Sequence, residues 1–195
     1  VKGASKGEGL GNQFLGNIRE TDAIIHVLRC FDDGNVVHVD GSVDPVRDKE
    51  IIDTELQLKD LETVENRIKR VEKIAQVGND KNAKVEYGVL TAIRALLEGK
   101  NARSVVFESK DEQAAARNLF LLTSKPVLYV CNVDEGSAVS GNEYVERVRE
   151  AVAPEGAEIL VVAAQTEADI AELETFEERQ EFLKDGGLEE SGVNR

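Results

Sequence analysis

Lys125-Pro126-Val127-Leu128-Tyr129-Val130-Cys131-Asn132-Val133-Asp134-Glu135 is the stretch that decides the fold. It leaves a proline, runs through an apolar, β-rich segment and stops abruptly in polar groups. The apolar part is too short for a buried helix, so it predicts a central strand buried on both faces. In open α/β sheets, ligands sit beyond the carboxyl ends of such strands. Asn132 and Glu135 therefore stand where binding chemistry is expected.

An Asn-x-x-Glu pair at a strand end can read the edge of a nucleotide base. The amide offers a donor and an acceptor, and the carboxylate offers acceptors only. GTP-binding proteins place Asn-Lys-x-Asp at this point, with the Asp accepting from guanine. Here Val133 stands in place of the Lys and Glu135 in place of the Asp. The longer Glu cannot hold the same position, which argues against strict guanine specificity. An ordinary strand-to-loop exit with polar residues is the plain alternative, and four residues alone leave both open.

Two more strands flank this one in the pattern. Ala23 to Phe31 reads as a buried strand, with His26 as a core histidine, and Glu158 to Ala164 as another. A helix over 142–153 separates the second pair, and Gln165-Thr166-Glu167 leads into an acidic helix over 168–184. Strand, helix, strand implies a right-handed parallel crossover. The polar tail 185–195 reads as a linker.

A long helical region interrupts the sheet. Asp44-Pro45 opens it, and Leu61, Val64, Ile68, Val71 and Ala75 follow a three-four spacing that Ile51 and Leu58 extend backwards. That is a coiled-coil-like seam. Gly78-Asn79-Asp80 stops the helix. A second helix carries Val85, Val89, Ile93, Leu96 and Leu97 on one face, and a third runs from Asp111 through Leu122. Two helices joined by a short polar turn predict an antiparallel hairpin. Arg67, Lys69, Arg70 and Lys73 ride on its flank. The insertion is either packing alone or an arm for a macromolecular partner.

Val1 to Asn17 is Gly-rich, but no strand precedes it and its glycine spacing does not match a dinucleotide fingerprint. Asp32-Asp33-Gly34-Asn35 is turn chemistry. The loop after it carries His38, which can act as an acid or base near neutral pH, or can simply be solvated.

The formal net charge of −14 over 195 residues argues against a general duplex-binding surface unless basic groups cluster locally. Cys30 and Cys131 form no Cys-x-x-Cys pair and read as buried reduced thiols, which points to the cytoplasm. No apolar run reaches membrane-spanning length, so no membrane partner is expected. No ligand cluster supports a metal or redox enzyme. The first residue is not Met, so a fragment or a processed product is expected.

Six blocks in order resemble one family: Val1-Lys-Gly-Ala-Ser-Lys-Gly-Glu-Gly-Leu-Gly-Asn12, Ile18-Arg-Glu-Thr21, His26-Val-Leu-Arg-Cys-Phe31, Val43-Asp-Pro45, Leu122-Thr-Ser-Lys-Pro126 and Asn132-Val-Asp-Glu135. They look like the Obg-like ATPases of the YchF type, over essentially the whole chain. The resemblance implies an α/β fold: a partial P-loop NTPase, Ras-like G-domain parallel sheet with an inserted α-helical coiled-coil arm. It implies three segments: 1–45 with the switch region and one strand, 46–123 as the arm, and 124–195 as the C-terminal part of the G domain. It further implies a nucleotide-binding hydrolase that prefers ATP to GTP and forms ADP and phosphate. Nucleotide contacts then fall to Asn132, Val133, Glu135 and Ala164, and Ala163 stands where the family usually has Ser or Cys.

Within that family the catalytic glutamine is replaced by an apolar residue, and His38 matches the loop histidine that would place the attacking water. The family's partners would be nucleotide and, through the arm, the ribosome or RNA, with roles in translation or stress control. One departure stands out. No Gly-x-x-x-x-Gly-Lys-Ser/Thr occurs in the chain. That loop cradles the phosphates and its hydroxyl holds Mg²⁺. The expectation is an internal fragment, without this loop or the C-terminal TGS domain, lacking the Mg²⁺ ligands and inactive alone. A helical-arm interaction module on an α/β platform, without nucleotide hydrolysis, is the alternative.

Overall fold

Proline at the first helical position suits a helix start, because its missing N–H has no intrahelical partner there. Pro45 opens the longest helix of the computed structural model, and Asp44 caps it by accepting the Arg47 N–H at 3.1 Å. The structure describes residues 3–6, 11–33 and 41–194. The chain divides into two compact units, Val1–Ile24 with Glu50–Pro126, and Ile25–Lys49 with Val127–Arg195.

The first unit is helical. It holds α1 (Gly11–Arg19), most of α2 (Pro45–Val77), α3 (Lys81–Leu96) and α4 (Lys110–Arg117). Gly78 ends α2 by donating its N–H to the Ile74 carbonyl at 3.0 Å. Asp80 then caps α3, accepting from the Asn82 and Ala83 N–H groups at 2.9 and 3.1 Å. Val64, Ile68, Val71 and Ala75 of α2 share a core with Ala83, Val89, Leu90 and Ile93 of α3. Each fully buried aliphatic side chain there contributes about 1.5–3 kcal/mol. Arg67 pairs with Glu86, and the Tyr87 hydroxyl donates to Glu72 at 3.5 Å, so polar contacts join the same two helices.

Toward its start, α2 departs from the predicted seam. Leu58 is exposed, and Leu56 and Asp60 are buried in its place. The Asp60 carboxylate accepts from the Leu122 N–H at 2.8 Å and from the Thr123 N–H and hydroxyl, both at 2.7 Å. Thr123 Oγ1 accepts in turn from the Ala102 N–H at 2.9 Å. The hydrophobic period gives way here because α2 anchors a non-helical strand of chain, whose backbone donors need an acceptor.

That strand of chain corrects a second expectation. α4 stops at Arg117 instead of running through Leu122. Phe120 has a φ of 50°, the sole described non-glycine residue on the left-handed side. Its carbonyl accepts from Arg19 Nη1 at 3.1 Å. The turn lets Leu119, Leu121 and Leu122 be buried together, which a straight helix would not do.

The second unit is built on a three-stranded sheet in the order β1 (Ile24–Arg29), β2 (Val127–Asn132), β3 (Glu158–Val162). β2 and β3 are parallel, in a register that runs from Leu128 opposite Glu158 to Asn132 opposite Val162. Helix α5 (Glu143–Val152) makes the crossover between them. Val145, Val148 and Val152 of α5 cover the sheet face that carries Leu28, Cys30, Tyr129, Cys131 and Val133. The other face is open at β1, where Ile25 is 67% and Val27 61% exposed. β2 is therefore central, as predicted, but sealed on one face: Leu128 and Val130 are half-buried among the described residues.

His26 packs against the buried Tyr129, with ring centroids 5.6 Å apart. Above the same ring, the buried Lys49 ammonium pairs with Glu155 at 2.6 Å. The acidic helix predicted over 168–184 is two helices, α6 (Ala164–Glu172) and α7 (Phe176–Asp185). Thr175 starts the second with a reciprocal capping box to Glu178. The tail is no bare linker either. Gly192 donates its N–H to Glu167 at 2.6 Å, and Leu188 packs on the core of this unit.

Candidate nucleotide-base site

The carboxyl end of β2 meets the start of α6. Asn132 is the last residue of β2, and its Oδ1 accepts the Ala164 N–H at 3.0 Å. A backbone N–H can only donate, so the atom facing it must be the amide oxygen. The Asn132 NH₂ therefore points elsewhere, with two donors to offer. The strand end itself is fixed from both sides. The Asn132 carbonyl accepts from the Cys30 N–H at 2.8 Å, and the Val133 N–H donates to the Val162 carbonyl at 2.9 Å.

Val133 is buried, with its side chain in the core under α5. What it can present to a ligand is backbone. Asp134 turns the chain back by accepting the Ser137 N–H at 2.8 Å. That turn lifts Glu135 out, and its carboxylate is exposed and has no hydrogen-bond partner among the described residues. Asn132 and Glu135 thus form a rim with free amide donors on one member and free carboxylate acceptors on the other.

α6 supplies the remaining wall. Its first intrahelical bond is Glu167 N–H to the Ala163 carbonyl at 3.0 Å, so the N–H groups of Gln165 and Thr166 precede the ladder. Ala163 is buried and has no side-chain cap to give. Ala164 lies beside Asn132, and its N–H is committed to the Asn132 side chain. Asn142 was not anticipated. It caps α5 through its Oδ1 to the Val145 N–H at 3.1 Å, and its Nδ2 donates to the Cys30 carbonyl at 2.7 Å. It thereby ties the end of β1 to the loop that carries Glu135. The pattern of an Asn before an amphipathic helix was its only signal in the sequence.

His38 lies outside the described residues, as do the glycines at 7 and 9. Cys30 and Cys131 are buried and form no disulfide, and the hydrogen bond to the Cys131 thiol, with burial next, pushes the Cys30 thiol well up. Among the described residues no group of three or more His, Cys, Asp or Glu side chains could hold a metal ion. No described helix is long and apolar enough to cross a membrane.

Comparison with known proteins bears on this geometry. The chain is 52% identical to the "Ribosome-binding ATPase YchF" of Bacillus subtilis, covering all of this chain and 53% of that protein. Along its whole length it is homologous to the YchF-type Obg-like ATPases. The YchF of Escherichia coli O157:H7 is likewise 52% identical, with the same coverage. Obg-like ATPase 1 of Caenorhabditis elegans is 37% identical over 96% of this chain and 48% of its own length. In three dimensions, the Schizosaccharomyces pombe YchF GTPase superposes with a TM-score of 0.81 at 32% identity. That match covers 96% of this chain and 52% of the solved one. The helices and parallel sheet are therefore those of the YchF-type P-loop NTPase fold. No protein-family model matches the chain. The chain spans about half the length of the curated relatives it matches.

Proposed function

We propose that this chain carries the base-reading half of a YchF-type ATPase, one that converts ATP to ADP and phosphate and works with the ribosome. The observation that carries this reading is the Asn132–Ala164 bond, which aims the Asn132 amide outward beside the free Glu135 carboxylate. A carboxylate accepts from an exocyclic amino group, and adenine presents one beside a ring acceptor that suits an amide N–H. That pairing favours ATP, with GTP second. Val133 contributes backbone at the rim, and the first turn of α6 at Ala164 closes it.

His38 is the residue we assign to placing the attacking water. In the assembled enzyme, Mg²⁺ would neutralise charge on the phosphates, and this chain's part is to hold and orient the base. The proposed division is a G-domain segment over 1–45, a helical arm over 46–123 and the rest of the G domain over 124–195. Ribosome association through the arm and a cytoplasmic setting belong to the same reading, and buried free thiols suit a reducing compartment. The second reading, an interaction module that hydrolyses nothing, is favoured by one sequence fact: the phosphate-cradling motif does not occur in residues 1–195.

Calorimetric titration with ATP and GTP, with and without Mg²⁺, separates the two. The ATPase reading expects weak binding by this chain, restored when a phosphate-loop segment is joined ahead of Val1, with the adenine preference lost in Glu135→Ala. Restored binding with equal affinity for ATP and GTP would overturn the base assignment. No binding in either form would leave the module reading standing.

A further inference from the structure

The end of α7 sends the chain back onto the sheet. Gly187 has a φ of 70°. Its N–H donates to the Lys184 carbonyl at 3.1 Å, and the Leu188 N–H donates to the Leu183 carbonyl at 2.8 Å. This pair of bonds is the Schellman arrangement, in which a left-handed glycine turns the chain out of the helix. Leu188 then packs on the core that holds Ala138 and Ala163. Four residues on, the Gly192 N–H reaches the Glu167 carboxylate at 2.6 Å.

Those contacts fall on both walls of the base site. Ala138 belongs to the turn that carries Glu135, and its N–H donates to the Glu135 carbonyl at 3.1 Å. Val139, next in that turn, would lie 3.8 Å from a Cβ at Gly187. Glu167 belongs to the first turn of α6, whose Ala164 N–H is held by Asn132. Among the described residues no hydrogen bond joins residues 135–141 to residues 163–167, so the two walls meet through 187–192 and the sheet below. The space left among Ala138, Ala163, Thr166, Leu188 and Gly192 is about 10 Å³, no more than one water could take. At Gly192 a Cβ would come within 3.0 Å of Val162 Cγ2 and 3.1 Å of Glu167 Oε1. Val162 stands opposite Asn132 in the β2–β3 register. The glycine serves close approach here.

We infer that residues 187–192 are a strap that sets the spacing between Glu135 and Asn132, and that Glu167 is a positioning residue for adenine recognition. The inference rests on the base-reading role of those two side chains. A site that reads a base edge must hold its groups to within about 0.5 Å of the productive geometry. Glu167 acts through the strap and the first turn of α6, not by contact with the base. Freeing the strap lets the Glu135 turn and α6 move independently, which costs discrimination between bases more than it costs binding.

The test has two arms. In the first, hydrogen-exchange mass spectrometry is run on the 195-residue chain without nucleotide. Glu167→Ala should speed exchange several-fold in 187–192 and also in 135–141 and 163–168, with 127–131 of β2 unchanged. Gly192→Ala should do the same by crowding Val162. Glu167→Gln keeps an acceptor for the Gly192 N–H and should restore protection. Glu172→Ala, at the far end of α6, should change none of these. In the second arm, ATP and GTP are titrated calorimetrically into the chain joined to a phosphate-loop segment. Glu167→Ala should lower the ratio of ATP to GTP affinity several-fold, with GTP affinity little changed, and Glu167→Gln should restore the ratio. Circular dichroism checks each fold, and Gly192→Ala carries the same expectation should Glu167→Ala not fold. Faster exchange confined to 187–192 would overturn the strap, and so would an unchanged affinity ratio in the folded variants. Equal ATP and GTP affinity in the unsubstituted protein would instead overturn the base-reading role, and this inference with it, so the two failures are told apart.

Discussion

The helical unit and the sheet unit place their polar groups oppositely. In the helical unit a carboxylate sits at the centre: Asp60 is buried and fastens the Leu122–Thr123 backbone to α2 with three donors. In the sheet unit the packed face under α5 is apolar apart from the rings and thiols, and the polar side chains Asn132, Asp134 and Glu135 collect at the strand end. A helix hairpin satisfies its own backbone, so non-helical chain lying on it must find an acceptor from the helix. A parallel sheet satisfies its interior through the ladder and leaves unused groups at the carboxyl ends of its strands. Buried Asp60 thus fastens backbone in one unit; in the other, apart from the buried Lys49–Glu155 pair, the polar groups at the strand end are left to offer chemistry.

Substitutions that break this contrast should differ steeply in cost. Asp60→Ala leaves three buried neutral donors without an acceptor, at about 1–3 kcal/mol each, and should lower the unfolding free energy by about 3 kcal/mol or more, read by urea denaturation. Asp60→Asn retains an acceptor and should cost clearly less. Equal losses would mean that packing volume, not the hydrogen bonds, matters at this position. Asn132→Ala removes the acceptor for the exposed Ala164 N–H and should cost about 0.5–1.5 kcal/mol together with any nucleotide response. Asn142→Ala removes a helix cap and should cost about 1 kcal/mol. Loss of the tie to Cys30 should also speed amide exchange in residues 134–138, which hydrogen-exchange mass spectrometry reads. Glu135→Ala, on the rim, should move stability by less than about 0.5 kcal/mol and act on base preference alone.

The smallest effects are pH-dependent, and they have opposite signs in the two units. Burial pushes the Asp60 carboxyl up, against the Thr123 and Leu122 donors that pull it down. A raised carboxyl binds its proton more tightly when folded, so stability should fall as pH climbs from the ordinary Asp value through the raised one. Asp44 is held below its ordinary value, first by the Arg47 N–H and then by Arg147. Its contribution is complete above the ordinary Asp value and is lost as pH falls through the depressed one. Denaturation midpoints from pH 2 to 7 for Asp60→Asn and Asp44→Asn should remove these two limbs separately. One variant removing both would refute the assignment.

Much of this was legible in the chain. The strand at 127–132 announces itself by β-branched and apolar residues after a proline. The hairpin announces itself by Val64, Ile68, Val71 and Ala75 and by Gly78-Asn79-Asp80, where stop and cap signals fall together. The places that misread share a cause. Leu122 continues the apolar spacing of α4, but Phe120 turns the chain with a positive φ, and no local preference for that residue type signals such a turn. Leu58 continues the seam of α2, but the partner surface there is backbone, so Asp60 goes in and Leu58 stays out.

The sequence by itself determined the order of elements, the sheet with its helical insertion, and the residues Asn132 and Glu135 at a strand end. These follow from local periodicity and caps, which act within a few residues. Tertiary structure alone decided that Asp60 is buried, that the Asn132 oxygen is taken by Ala164 and that Glu135 remains free. The first two depend on which donors and acceptors meet across 32 to 63 positions of chain, a pairing that no local pattern specifies.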